Sequence, residues 1–262
     1  MEHLGSLFRR YDRIFIFDTE TTGLHFERDE IIQFSGVVLE CAGGQAAVSR
    51  QYDRLLKLRP GQEVPPEIQR LTGITTQDVA RRGIPREEAA GEIGALLAGR
   101  TLLAAYNAHF DLSFLFHLLA AYGDPGCLKG KDKLDLLTVY RDRRGYPHRL
   151  SNAIEAYGLQ GAVQNSHQAD QDALATAWVM DAMAAERDDL AEYINLFGYI
   201  PKFGPPKRPI RSVTYRPQPY NPPQPLYRCG GEWAAPFFGG NQNAKPRCLS
   251  AGSQPLLHPG FV

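Results

Sequence analysis

Arg13-Ile14-Phe15-Ile16-Phe17-Asp18-Thr19-Glu20-Thr21-Thr22-Gly23-Leu24 decides how this chain is read. Ile14 to Phe17 form a short unbroken apolar run that ends on a carboxylate, which is the pattern of a buried strand. Glu20 follows Asp18 by two residues, and alternation along an extended backbone puts both carboxylates on one side. Two oxygen ligands at that spacing suit a hard cation. A bare Asp-x-Glu is usually no more than a strand end before a polar turn. Here Thr21, Thr22, Gly23 and Leu24 add two hydroxyls and a glycine that allows close backbone approach to a ligand.

Outward from this strand, residues 30–41 and 48–58 read as further strands, antiparallel neighbours of the first. A helix over 85–99 begins at proline and ends at glycine. Residues 101–106 form another buried strand. Residues 110–123 form a helix with Phe110, Phe114, Leu118 and Tyr122 on one stripe. Helices over 150–157 and 169–187 follow. Ala169, Ala173, Ala177, Met180 and Ala184 give the last one a small-residue face suited to close packing on a sheet. The expected fold is α/β, a three-layer sandwich over a mixed sheet.

Two more motifs carry carboxylates. Tyr106-Asn107-Ala108-His109-Phe110-Asp111 joins a strand to a helix, where Asp111 taken alone is a helix N-cap. A strand's C-terminal edge is also where α/β proteins place ligands. In His167-Gln168-Ala169-Asp170-Gln171-Asp172, the histidine and Asp172 are five residues apart. On one helix they would point about 140° apart. His167 therefore belongs to the loop before the helix, with Asp172 one turn inside and facing the sheet. A buried acid there asks for a metal or a base.

The order FDTETTG, NAHFD, HQADQD resembles the three motifs of the DEDDh (DnaQ-like) 3'–5' exonucleases of the proofreading type, over residues 12–185. Many relatives carry His where this chain has Tyr106. The resemblance implies a ribonuclease H-like α/β/α sandwich over a five-stranded mixed sheet. It implies two divalent cations, Mg²⁺ or Mn²⁺. Asp18 would bridge them, Glu20 and Asp172 would complete one site, and Asp111 would hold the other. His167 would act as general base, and histidine's pKa near neutrality suits that role. Thr21, Thr22, Gly23 and Leu24, with Asn107 and Phe110, would bind the terminal nucleotide of a DNA 3' end. For Phe110, core packing on its helical stripe stands beside base stacking. The rivals are an RNA-directed exonuclease on the same scaffold, a non-catalytic nucleic-acid-binding subunit, and a nucleotide pyrophosphatase. All five motif side chains are present, against the second, and the histidine spacing argues against the third.

Net charge is zero, yet residues 201–262 hold eight Lys and Arg against the single acid Glu232. An acidic body suits cation binding and a basic tail suits a polyanion. Thirteen of the 19 prolines also lie in 201–262, so the chain divides into an exonuclease domain at 1–200 and a disordered Pro/Gly-rich tail at 201–262. That tail could contact DNA or join a polymerase or another replication or repair protein. Cys41, Cys127, Cys229 and Cys248 are scattered, without the close pairing of structural zinc. No apolar run reaches membrane length and no signal-peptide stretch opens the chain, so it reads as cytoplasmic, without membrane contact.

Overall fold

The computed structural model describes residues 1–161, 163, 169–205, 210 and 213–228. Five strands make one sheet: β1 (Arg13–Thr21), β2 (Ile31–Ala42), β3 (Gln45–Leu55), β4 (Thr101–Ala105) and β5 (Lys133–Asp135). Their order is β3-β2-β1-β4-β5. β2 is antiparallel to both β1 and β3, whereas β4 and β5 run parallel to β1. The strand expected at 48–58 starts earlier and neighbours β2 rather than β1. Gly43 and Gly44 explain this: both have positive φ, 61° and 86°, as a tight two-residue hairpin turn requires.

The helices are α1 (Gly5–Phe8), α2 (Pro66–Thr72), α3 (Thr76–Arg82), α4 (Arg86–Leu96), α5 (Ala108–Tyr122), α6 (Leu136–Arg143), α7 (Leu150–Ala156) and α8 (Ala169–Glu186). β1 shows how the layers divide. Ile14 and Ile16 pack with residues of α6, α7 and α8 on one face. Phe15 and Phe17 pack with α4 and α5 on the other. All four are essentially fully buried, each contributing about 1.5–3 kcal/mol. The small-residue face of α8 is buried throughout, and α8 lies against β1 and β2. The three-layer mixed sandwich is thus as read from the sequence.

Within the segment read as a disordered tail, the described part from 210 onward behaves differently. β6 (Leu196–Tyr199) pairs in parallel with β7 (Arg216–Pro219). Ile210, Val213 and Leu226 are buried against the two cores. The Leu226 N–H donates to Asp142 at 2.8 Å, and the Tyr227 hydroxyl donates to Asp189 at 2.9 Å. Proline fits β7 because a two-stranded ribbon leaves one side of each strand without a ladder. These residues fold because the domain supplies the apolar surface that the segment lacks.

Candidate active site

Asp18 and Glu20 lie on the β1 face that also carries Ile14 and Ile16, and α8 covers that face. Asp172, in the first turn of α8, is buried and points into the same space. Ligand oxygens of Asp18, Glu20 and Asp172 all lie within 4.8 Å of one another. Asp111 arrives from the opposite layer. It sits inside the first turn of α5 rather than at its N-cap, because the helix begins at Ala108. Its Oδ1 accepts from the backbone N–H of Thr19 at 3.1 Å and from the Thr19 hydroxyl at 2.7 Å. Thr19 faces the α5 layer by the same alternation that turns Asp18 and Glu20 towards α8.

This crowding shows in the acidities. Burial, then the charges of Asp111, Asp172 and Glu20, hold the Asp18 carboxyl well above the usual carboxylate range. Burial, with Asp172 and Asp111, pushes Glu20 up to about 8. Asp111 is pushed up to about 7 by burial, which outweighs the hydrogen bonds from Thr19. An all-oxygen donor set whose members raise one another's pKa is what a hard divalent cation relieves.

A family model described as Exonuclease, RNase_T, matches residues 15–180. The chain belongs to this exonuclease family. Among its relatives, the DNA polymerase III subunit epsilon of Treponema pallidum (strain Nichols) is 30% identical over 160 residues, covering 60% of this chain and 69% of that protein. The 3'-5' exonuclease DinG of Bacillus subtilis (strain 168) is 33% identical over 174 residues, 64% of this chain but 17% of DinG. The PolC-type DNA polymerase III of Ureaplasma parvum serovar 3 is 29% identical over 170 residues, 64% of this chain and 11% of that protein. The chain therefore spans only a small part of PolC and DinG. In fold, E. coli Exonuclease I, solved in complex with a dA16 oligonucleotide, superposes with a TM-score of 0.61 at 22% identity, covering 70% of this chain and 42% of that one. The sandwich is thus ribonuclease H-like, and the resemblance to DnaQ-like exonucleases holds.

The remaining motif residues take these places in the exonuclease domain. The Thr21 hydroxyl donates to the Gly23 carbonyl at 2.7 Å, and the Thr22 hydroxyl accepts from the Glu30 N–H at 2.9 Å. Both hydroxyls brace the loop itself. A Cβ on Gly23 would fall 2.5 Å from the Asp29 carboxylate, so any larger residue would push that side chain from its place, where it accepts from the His25 N–H. Leu24 stands out from this braced loop, 77% exposed. Phe110 is half-buried and packs on Phe114, ring centroids 5.0 Å apart, which accords with the core-stripe reading. His167 lies outside the described residues.

Asn107 has φ 74°, and its N–H and that of Ala108 both donate to Asp135 Oδ1, at 3.1 and 3.0 Å. Asp135 is buried at the end of β5, and Thr138 donates to its other oxygen at 2.6 Å. It thereby sets the turn that starts α5 and aims Asp111. Sequence reasoning missed Asp135, because the short strand it closes, Lys133-Leu134-Asp135, lacks the apolar run that marks Asp18. Gln33, opposite Glu20 in β2, was also missed. Its amide donates to Asp53 at 2.8 Å and accepts from the N–H of Ala169, the first residue of α8, at 3.4 Å.

Proposed function

We propose that this protein is a metal-dependent 3'–5' exonuclease that releases nucleoside 5'-monophosphates from single-stranded or frayed DNA ends. The convergence of Asp18, Glu20 and Asp172 within 4.8 Å, in a chain of the exonuclease family, carries the reading. Asp18, Glu20, Asp111 and Asp172 are the residues that would hold two divalent cations, Mg²⁺ or Mn²⁺. Such ions, when bound, supply Lewis acidity and charge neutralisation for in-line displacement at phosphorus.

The rest falls to the chain's own groups. His167, two residues before α8, takes the proton from the attacking water. Asp111 keeps its orientation through Thr19, and Thr19 is fixed by the ladder of β1 with β2. Leu24 offers an apolar wedge beside the terminal bases, on a loop whose hydroxyls are already spent on bracing. Asn107, at the start of α5, and the part of Phe110 left open by its packing on Phe114 would complete the nucleotide site.

The relatives named epsilon and PolC belong to DNA polymerase III, which supports a role in proofreading or repair and a polymerase or other replication partner. Among the described residues no helix is long and apolar enough to cross a membrane. The deciding experiment is product analysis on end-labelled single-stranded DNA, with matched RNA alongside, with and without Mg²⁺. Mononucleotide release from the 3' end of DNA, abolished by chelator, is expected. Release from the 5' end, or activity in chelator, would refute the reading.

A further inference from the structure

An aromatic, basic loop stands at the same sheet edge as the carboxylates, and the site does not use it. It runs from α6 into α7 and reads Arg141-Asp142-Arg143-Arg144-Gly145-Tyr146-Pro147-His148-Arg149. Tyr146 is 90% exposed, the most exposed large hydrophobic side chain among the described residues. Arg143 and Arg144 are held by Glu186 and Asp189. Asp142 accepts from Tyr193 at 2.6 Å and from the Leu226 N–H. Arg141 and Arg149 are exposed and have no acidic partner among the described residues.

The loop is braced. The Tyr106 hydroxyl donates to the carbonyls of His148 at 3.0 Å and Arg149 at 3.3 Å. The Arg149 N–H donates to Asn152 at 3.0 Å. Tyr106 also fixes where the loop stands. β1 and β4 pair with Ile16 opposite Ala104, so Tyr106 lies level with Asp18, one strand over.

Four carboxylates with two divalent cations leave no net positive charge, so the strand beyond the terminal nucleotide has to find its cationic partners elsewhere on the surface. The cleft on the other flank, lined by Arg54 and Arg82 but also by Asp53 and Asp170, offers no net positive charge. We infer that the loop carrying Tyr146 and Arg149, with Arg141 beside it, docks the single strand upstream of the terminal nucleotide. Tyr146 stacks on a base, and the two arginines face phosphates. This rests on the exonuclease reading for its substrate class.

The test measures binding of fluorescein-labelled dT12 and rU12 to the full chain with Ca²⁺ in place of Mg²⁺, across a salt series, alongside hydrolysis. Y146A is expected to weaken dT12 binding by roughly 5- to 150-fold, the range for one base-stacking contact, and Y146W to restore it. R141Q/R149Q should flatten the salt slope by about 1.4, since each phosphate contact on a single strand contributes about 0.7. In hydrolysis, Y146A should raise KM for dT12 and leave kcat unchanged. Thymidine 5'-(4-nitrophenyl phosphate), which has no upstream strand, should be cleaved at the wild-type kcat/KM. Unchanged affinity and salt slope in both variants overturn the inference, even if exonuclease activity is confirmed. Weakened binding in a protein that hydrolyses no oligomer upholds the docking surface and sinks the exonuclease reading. Loss limited to rU12 would make the docked strand RNA.

Discussion

The Tyr215 hydroxyl hydrogen-bonds Nδ1 of His109 at 3.1 Å, which joins the C-terminal segment to the motif that carries Asp111. The Tyr215 ring also packs on Phe197, centroids 4.5 Å apart. Residues 213–228 are therefore part of the catalytic domain's packing. Ending the chain at residue 200 should lower unfolding stability by roughly 2–5 kcal/mol, burial lost less ordering entropy regained. Tyr215→Phe, which keeps the ring, should cost about 0.5–1.5 kcal/mol. Urea unfolding of the three proteins checks both, and an unchanged midpoint on truncation would contradict the packing.

Acidity gives the second prediction. Glu20, held near 8, and Asp111, held near 7, keep protons in the folded protein that the unfolded chain releases near its ordinary value of about 4. Raised folded pKa values mean stability that is complete below that ordinary value and lost as pH climbs through 7 and 8. In chelator, the thermal midpoint should fall across this window. Mg²⁺ or Mn²⁺ should raise it, and by more at the alkaline end. A midpoint that rises with pH in chelator and ignores metal would rule out the repulsive cluster.

Asp18→Ala should lower the cleavage rate by at least about 100-fold, because the two cations proposed for this site would lose the ligand they would share. In chelator at alkaline pH the same variant should unfold at a higher temperature than the parent, since it removes a buried carboxyl that its neighbours repel. Paired rate and melting measurements test this: a variant both inactive and less stable there would point to a purely structural Asp18.

Thr19→Val removes one of the two hydrogen bonds that aim Asp111 and leaves the backbone bond in place. A bond to a charged group contributes about 1.5–3 kcal/mol, so the Mg²⁺ needed for half-maximal rate should rise by roughly tenfold or more. Thr19→Ser should restore the parent's metal titration. An unchanged titration in Thr19→Val would remove Thr19 from the positioning of Asp111.

His167→Ala should keep strand binding and lose roughly 10²–10⁴ in rate, with loss of the acid limb of the pH–rate profile. A variant that keeps both the rate and that limb would reassign the base.

Much of this molecule could be read from local pattern. Ile14 to Phe17 marked a buried strand, because a short apolar run bounded by polar residues fits a strand covered on both faces. The two-residue spacing put Asp18 and Glu20 on one face, and the alanine stripe assigned α8 to the sheet. These are statements about periodicity, which the chain carries in itself. Partnership across elements is not periodic. Asp111 looked like a helix cap because its true donors, on Thr19, lie 92 residues away. Asp135 and Gln33 looked ordinary because their work is done on backbone N–H groups of other segments. The segment beyond residue 200 looked too rich in proline to fold, and alone it buries too little to offset its entropy. Only the assembled domain, with Phe197, Asp142 and Asp189 in place, offers the apolar surface and acceptors that hold residues 213–228 down. The sequence by itself determined which residues share a strand or helix face, Asp18 with Glu20 among them. The tertiary structure decided which of them meet, because that depends on surfaces that exist only after the layers close.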